Sequence, residues 1–396
     1  MKRMLLIYQN NILQGAMGTN NRIMQLLKIF KKLGYEVDQF AFEGFSPDSS
    51  FAEFDKQNVD GLINNVYIYD FQQGYGGLNK KENAIQKFAD RCSRHIKRKY
   101  IEHTFLQDWV PDGAKRMFSD IISTNEYDVI VCFYTYLATV LKDIDIKAKK
   151  VYFMEDSMFL QQYSWDKGNV PGISIGKLLD EELERLAWFD EVFCISNDEK
   201  IMYEKLSGRR MNFLPHLIEK SNVEKKSLNE RRWDVYFIGF NNPFNVEGLK
   251  WFLDDVYKYL NPELRIVLVG SATKTIENKY SNVEIIPFAP NLDDIYKDAK
   301  VAICPMFQGT GMKIKVIEAM SNGLPVVCNE RGVDGLPDKT KCGCLVTQDP
   351  KKFADYINRL AIDEEFYMEK SIEISNYFAE IFDTEKYIQM FNELVN

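Results

Sequence analysis

The chain has 396 residues, 58 of them acidic (Asp+Glu) and 50 basic (Lys+Arg), and its formal charge of −8 argues against a nucleic-acid partner, which would normally meet a basic domain or stripe. Hydrophobic residues make up 45% and charged residues 27%, which excludes the disordered class, and the length calls for roughly two or three domains of about 100–200 residues. The longest mostly apolar run, Val129 to Leu141, falls short of the roughly 20 residues of a spanning helix, the start is too short for a signal-peptide core, and seven scattered cysteines read as reduced thiols of a cytosolic protein.

Met4–Tyr8 reads as a first strand, followed by a loop holding Gly15 and Gly18. Ile23, Leu26, Leu27 and Phe30 then recur at helical spacing over Arg22 to Leu33, Gly34 closes that helix as a left-handed cap, and Tyr35 to Phe40 begins the next strand. Val129–Phe133, Val151–Met154 and Val192–Ile195 are further buried-strand candidates. The charged stretch Glu219 to Arg232 lacks an apolar period and reads as a linker. Alternation restarts with strands at Trp233–Ile238, Arg265–Val269, Val283–Ile286, Val301–Cys304 and Pro325–Cys328, and with a helix over Leu249 to Leu260. Strands alternating with helices imply α/β domains with parallel, doubly wound sheets. The expected division is a first domain over 1–215 and a second over 216–376, with an apolar helix at 377–396 crossing back to the first.

The most informative segment runs from Val301 to Leu336. A strand ends at Pro305, Gly309 and Gly311 shape a loop, and a helix follows over Met312 to Ser321. Glycines ahead of a helix let backbone amides approach an anion, and the helix N-terminus favours negative charge. Lys313 and Lys315 at that end oppose the macrodipole unless an anion sits there, so the pattern reads either as a phosphate site or as a capped surface helix. Glu318, one turn on, is either solvated or a fixed acceptor for two sugar hydroxyls.

These residues, with WDVYFIGFNNPFNVEGLKWFLDDV, LRIVLVG, GTGMKIKVIEAMSNGLPVV and RGVDGL in the second half and FDEVFCISNDEKIMYEKL in the first, resemble the retaining glycosyltransferases of GT-B architecture, in particular family 4 (glycosyl transferases group 1). The resemblance covers most of the chain and implies two Rossmann-like domains facing a cleft. It implies a nucleotide-diphosphate-sugar donor held mainly by the second domain and a glycan, lipid-linked or protein-linked glycan acceptor on the first. Carried over to this sequence, Glu318 accepts ribose hydroxyls, while Lys313, Lys315 and the Gly311 and Met312 backbone meet the diphosphate, with Thr310 among the donor-binding positions. Gly239 lets backbone approach the phosphates, Gly15 and Gly18 form the matching loop of the first domain, and Asp156 orients the acceptor hydroxyl or caps the next helix. Thr310 departs from the pattern, standing where many relatives carry the first of two glutamates.

No cofactor beyond the donor is expected, and no metal, since His95, His103 and His216 do not pair at ligand spacing and no Asp-x-Asp motif occurs. Leu78 to His103 carries Lys80, Lys81, Lys87, Arg91, Arg94, Lys97, Arg98 and Lys99 around an apolar stripe of Ile85, Phe88, Cys92 and Ile96. It reads as a helix that docks on anionic lipid at the inner face of a membrane or on an acidic acceptor, or as a helix packed on its own sheet. The other functional readings are a GT-B subunit without transfer activity, a nucleotide-sugar epimerase of the same fold, and a nicotinamide oxidoreductase, the last lacking a proper GxGxxG after the first strand.

Overall fold

The structure is a computed structural model. It describes residues 2–13, 18–45, 50–51, 61–75, 83–86, 88–89, 92, 106–142, 144–166, 173–277, 279–309 and 311–395. The chain divides into two compact units: Met1–Ile195, Glu199–Leu214 and Lys386–Asn396 form the first, and Ser196–Asp198 with Pro215–Glu385 form the second.

The first unit is built on strands β1 (Lys2–Ile7), β2 (Tyr35–Glu43), β3 (Val66–Asp70), β4 (Val129–Phe133), β5 (Lys149–Met154), β6 (Glu191–Cys194) and β7 (Asn212–Phe213), in the order β3-β2-β1-β4-β5-β6-β7. Every pair is parallel. β4 is buried at each position, as a central strand covered on both faces must be. β3 escapes a search for apolar runs because it is an edge strand in which only Tyr69 is buried. The order reverses between β1 and β4, and in open α/β sheets ligands gather outside the carboxyl ends of the strands at such a point. Helix Gly18–Lys32 follows β1, and Gly34 beyond it has a φ of 83°.

The last helix, Thr384–Val395, sets Phe391 into this unit, its ring 5.2 Å from Phe30, 5.4 Å from Phe193 and 6.1 Å from Phe153. Tyr377 and Phe378, expected to leave with it, lie instead on helix Glu364–Ile381 of the second unit, where the Tyr377 hydroxyl donates to the Pro337 carbonyl.

The second unit has strands β8 (Trp233–Ile238), β9 (Ile266–Val269), β10 (Val283–Ile286), β11 (Ala299–Cys304), β12 (Val326–Cys328) and β13 (Leu345–Val346), ordered β10-β9-β8-β11-β12-β13 and again parallel throughout. Its reversal falls between β8 and β11. The helix expected at Leu249 begins earlier, as Pro243–Trp251, because Asn242 caps it by accepting from the Asn245 amide at 2.8 Å and Pro243 suits its first turn. It continues as a π-turn over Phe252–Val256 and a 3-10 turn over Tyr257–Tyr259. Among the described residues no helix is long and apolar enough to cross a membrane. The basic stretch from Leu78 to His103 lies largely outside the described residues; of its stripe, Ile85 and Phe88 are exposed.

Candidate functional site

The carboxyl ends of β8 and β11 bring together a set of charged and polar side chains. β11 ends at Cys304 and leads into the loop before helix Ile314–Ser321. Gly309 and Gly311 take φ of 103° and 68°, the left-handed region that an L side chain rarely adopts, so the loop shape depends on them. The helix begins two residues later than expected, with Lys313 as its N-cap residue. Lys313 is buried, and its ammonium turns back into its own loop, donating to the Gly311 carbonyl at 2.8 Å and the Gly309 carbonyl at 3.4 Å. Met312 is buried as well. Thr310 lies outside the described residues.

Lys315, half-buried, donates from Nζ to Asn245 Oδ1 at 2.6 Å and sits 4.7 Å from the centre of the Phe237 ring. Burial lowers its pKa and the Lys313 charge adds to that, while Glu318 and Cys304 oppose. Asn245 is oriented by donating from Nδ2 to the Phe240 carbonyl at 3.0 Å, so its oxygen is left for the ammonium. Two glycines make this possible. A Cβ at Gly239 would stand 2.8 Å from the Phe237 ring and 3.1 Å from Asn245 Cγ, so that space is filled by the two side chains on which Lys315 rests. A Cβ at Gly248 would fall 1.8 Å from the Pro305 carbonyl oxygen, which shows how closely helix Pro243–Trp251 lies against the loop after β11.

Glu318 accepts through Oε2 from the Tyr296 hydroxyl at 3.0 Å. Burial raises its pKa, and the Tyr296 hydrogen bond and the Lys315 charge pull it back. Burial, with Glu318 next, pushes the Tyr296 phenol far above its ordinary range, so Tyr296 stays protonated and donates. The Tyr296 ring meets the edge of Tyr236 at 5.9 Å. The site therefore pairs a cation on one side of a short helix with a carboxylate three residues on, each with a fixed partner. Such an arrangement suits a ligand carrying both anionic oxygens and vicinal hydroxyls.

In the first unit Gly15 lies outside the described residues, and Gly18 opens helix Gly18–Lys32. Asp156 follows β5 between two anchored neighbours. Glu155 Oε1 lies 2.7 Å from Arg22 Nε, and the Ser157 hydroxyl donates to Glu199 Oε1 at 3.0 Å. Burial raises Glu155 to about 7, the Asp156 charge adding to it and Arg22 opposing. Burial and the same Asp156 charge raise Glu199 to about 8. The first amides of helix Met158–Asp166, whose capping is one of the two alternatives for Asp156, donate to Glu182: Met158 at 3.2 Å and Phe159 at 2.8 Å.

The sequence places Lys315, Glu318 and Gly239 in one site but does not mark Asn245 and Tyr296 as their partners. Asn245 carries no motif of its own, and its role follows only from the carbonyl it presents to Lys315. Tyr296 sits in the short helix Asp293–Asp298, 22 residues before Glu318, with no motif to mark it. Among the described residues no group of three or more His, Cys, Asp or Glu is placed to hold a metal ion.

Two parallel-sheet α/β units of this kind define the GT-B class, and solved structures agree. A mutant of Staphylococcus aureus TarM, in complex with fondaparinux, alpha-GlcNAc-glycerol and UDP, superposes with a TM-score of 0.68 at 13% identity, covering 100% of both chains. Anabaena Alr3699/HepE, in complex with UDP and glucose, gives a TM-score of 0.65 at 13% identity over 99% of both. Residues 232–363, which contain Gly239, Asn245, Tyr296, Lys315 and Glu318, match the family model "Glycosyl transferases group 1". A Klebsiella pneumoniae protein described as an uncharacterized 44.6 kDa protein in the cps region is 22% identical over 392 residues, spanning 92% of each chain.

Proposed function

We propose that this protein is a glycosyltransferase that moves a sugar from a nucleotide-diphosphate-sugar donor to a glycan or glycolipid acceptor with retention of anomeric configuration. The observation that carries the reading is the placing of Lys315 and Glu318, each with a fixed partner, at the β8/β11 reversal inside the glycosyl transferases group 1 domain. Glu318 takes the ribose hydroxyls. Lys315 and the amides at the start of helix Ile314–Ser321 meet the diphosphate, where fixed positive charge stabilises the departing group. The bond from the anomeric carbon to the diphosphate oxygen breaks, the acceptor oxygen bonds to that carbon on the same face, and its proton passes to the departing oxygen. The first unit takes the acceptor, with Asp156 orienting its hydroxyl. The chain acts without a metal. A role in polysaccharide synthesis draws support from the cps-region relative, and UDP, named with both solved structures, is the first nucleotide to try.

A thermal-shift screen against UDP-, GDP-, dTDP- and CDP-sugars tests the donor, because a ligand that binds the folded state raises the melting temperature by mass action. Turnover of the stabilising donor is then followed with and without EDTA. Absence of a shift with any of them sinks the donor assignment, and activity lost in EDTA and restored by magnesium or manganese sinks metal independence.

A further inference from the structure

At the order reversal of the first unit, between β1 and β4, aromatic side chains collect at the strand ends. Tyr134 and Tyr136, just past β4, stack at 5.1 Å with an interplanar angle of 9°. Trp109 lies 5.0 Å from Tyr136 and 4.6 Å from Phe45, which follows β2; Phe71, which follows β3, lies 6.2 Å from Phe45. Trp109 and Phe71 are 38% and 39% exposed, so the row opens to solvent at that end.

Two further observations mark this row as more than packing. Tyr134 has a φ of 66°, a strained conformation for a bulky L residue and one that gathers at ligand sites. Gln9, 4% exposed and just past β1, donates from Nε2 to the Tyr136 hydroxyl at 2.9 Å, while its Oε1 has no hydrogen-bond partner among the described residues. An acceptor buried without a donor pays its full desolvation penalty, which a ligand hydroxyl would remove.

We propose that Trp109, Phe71, Phe45 and Tyr136, with Gln9, form a binding site for a sugar ring of the acceptor. This inference deepens the transferase reading and rests on it. A sugar ring carries C–H faces for aromatic stacking and hydroxyls for an amide oxygen, so both halves of the site are used at once. A lipid chain would leave Gln9 Oε1 unpaired. An anionic group would meet the exposed Asp108 beside Trp109, whose carboxylate is paired with Lys115 at 3.3 Å.

Saturation-transfer NMR on the full chain with maltose, cellobiose, lactose and N,N'-diacetylchitobiose tests the site, with UDP binding measured on the same sample. Enhancement of ring C–H protons of at least one disaccharide is expected. Trp109→Ala and Phe71→Ala, both exposed positions, should each weaken that sugar roughly tenfold, and Trp109→Phe should restore most of the binding. Wild-type protein that binds UDP but none of the four sugars overturns the inference while leaving the donor assignment standing. Sugar signals equal in wild type and Trp109→Ala, or Trp109 fluorescence quenched by phosphatidylglycerol vesicles and not by sugar, overturn it too.

Discussion

Replacing Tyr296 with Phe removes one hydroxyl and keeps the ring, with its edge contact to Tyr236 at 5.9 Å. The lost hydrogen bond is the 3.0 Å donation to Glu318 Oε2. A hydrogen bond to a charged group contributes about 1.5–3 kcal/mol, which corresponds to about 10–150-fold in an equilibrium constant. That hydroxyl favours the ionised carboxyl, whose pKa burial already raises. Without it, Glu318 holds its proton to higher pH, and a protonated carboxyl is a poorer acceptor for the donor's hydroxyls. Isothermal titration of the donor nucleotide from pH 5 to 8 should therefore show Kd weakened about tenfold at the acid end, with the gap narrowing as Glu318 ionises in both proteins. Equal Kd values at every pH, in a variant whose melting temperature matches wild type, would refute the pairing as a determinant of donor binding.

Lys315→Met should lower kcat/KM by about 100–1000-fold while the fold persists, because fixed charge at the departing diphosphate is lost; steady-state kinetics beside a circular-dichroism melt checks this. Asn245→Ala frees the same ammonium from its 2.6 Å acceptor, and the double variant should fall well short of the sum of the single effects. Glu199, raised from 4.5 to about 8, favours folding through its proton below about pH 4.5, and that contribution is lost as pH rises through about 8. The melting temperature of wild type relative to Glu199→Gln should thus fall across that window, and parallel calorimetric curves would contradict it. Phe391→Ala vacates a position packed on Phe30, Phe193 and Phe153 and should cost about 3–5 kcal/mol in urea unfolding of the first unit; a change below about 1 kcal/mol would show that the last helix does not hold that unit together.

Periodicity was enough to read the α/β class and most strands, because a central parallel strand such as Val129–Phe133 must be apolar throughout to be covered on both faces. The glycine pair at 309 and 311 was legible for a similar reason: left-handed backbone is a local demand that few other residues meet. The lysines and the glutamate after it stand within a single turn or two, so local spacing alone groups them. Their partners could not be read this way. Asn245 is 70 residues from Lys315 and Tyr296 is 22 from Glu318; both are common residue types in ordinary helices. The close approach at Gly248 and the neighbouring β8 and β11 decide that they meet. Lys313 shows the same limit from the other side: a lysine at a helix start reads as a charge offered outward, yet its four-carbon stem lets it fold back onto its own loop carbonyls. Composition and periodicity record what each segment must bury, whereas which polar group answers which is a property of the packed sheet order, and only the tertiary structure carries it.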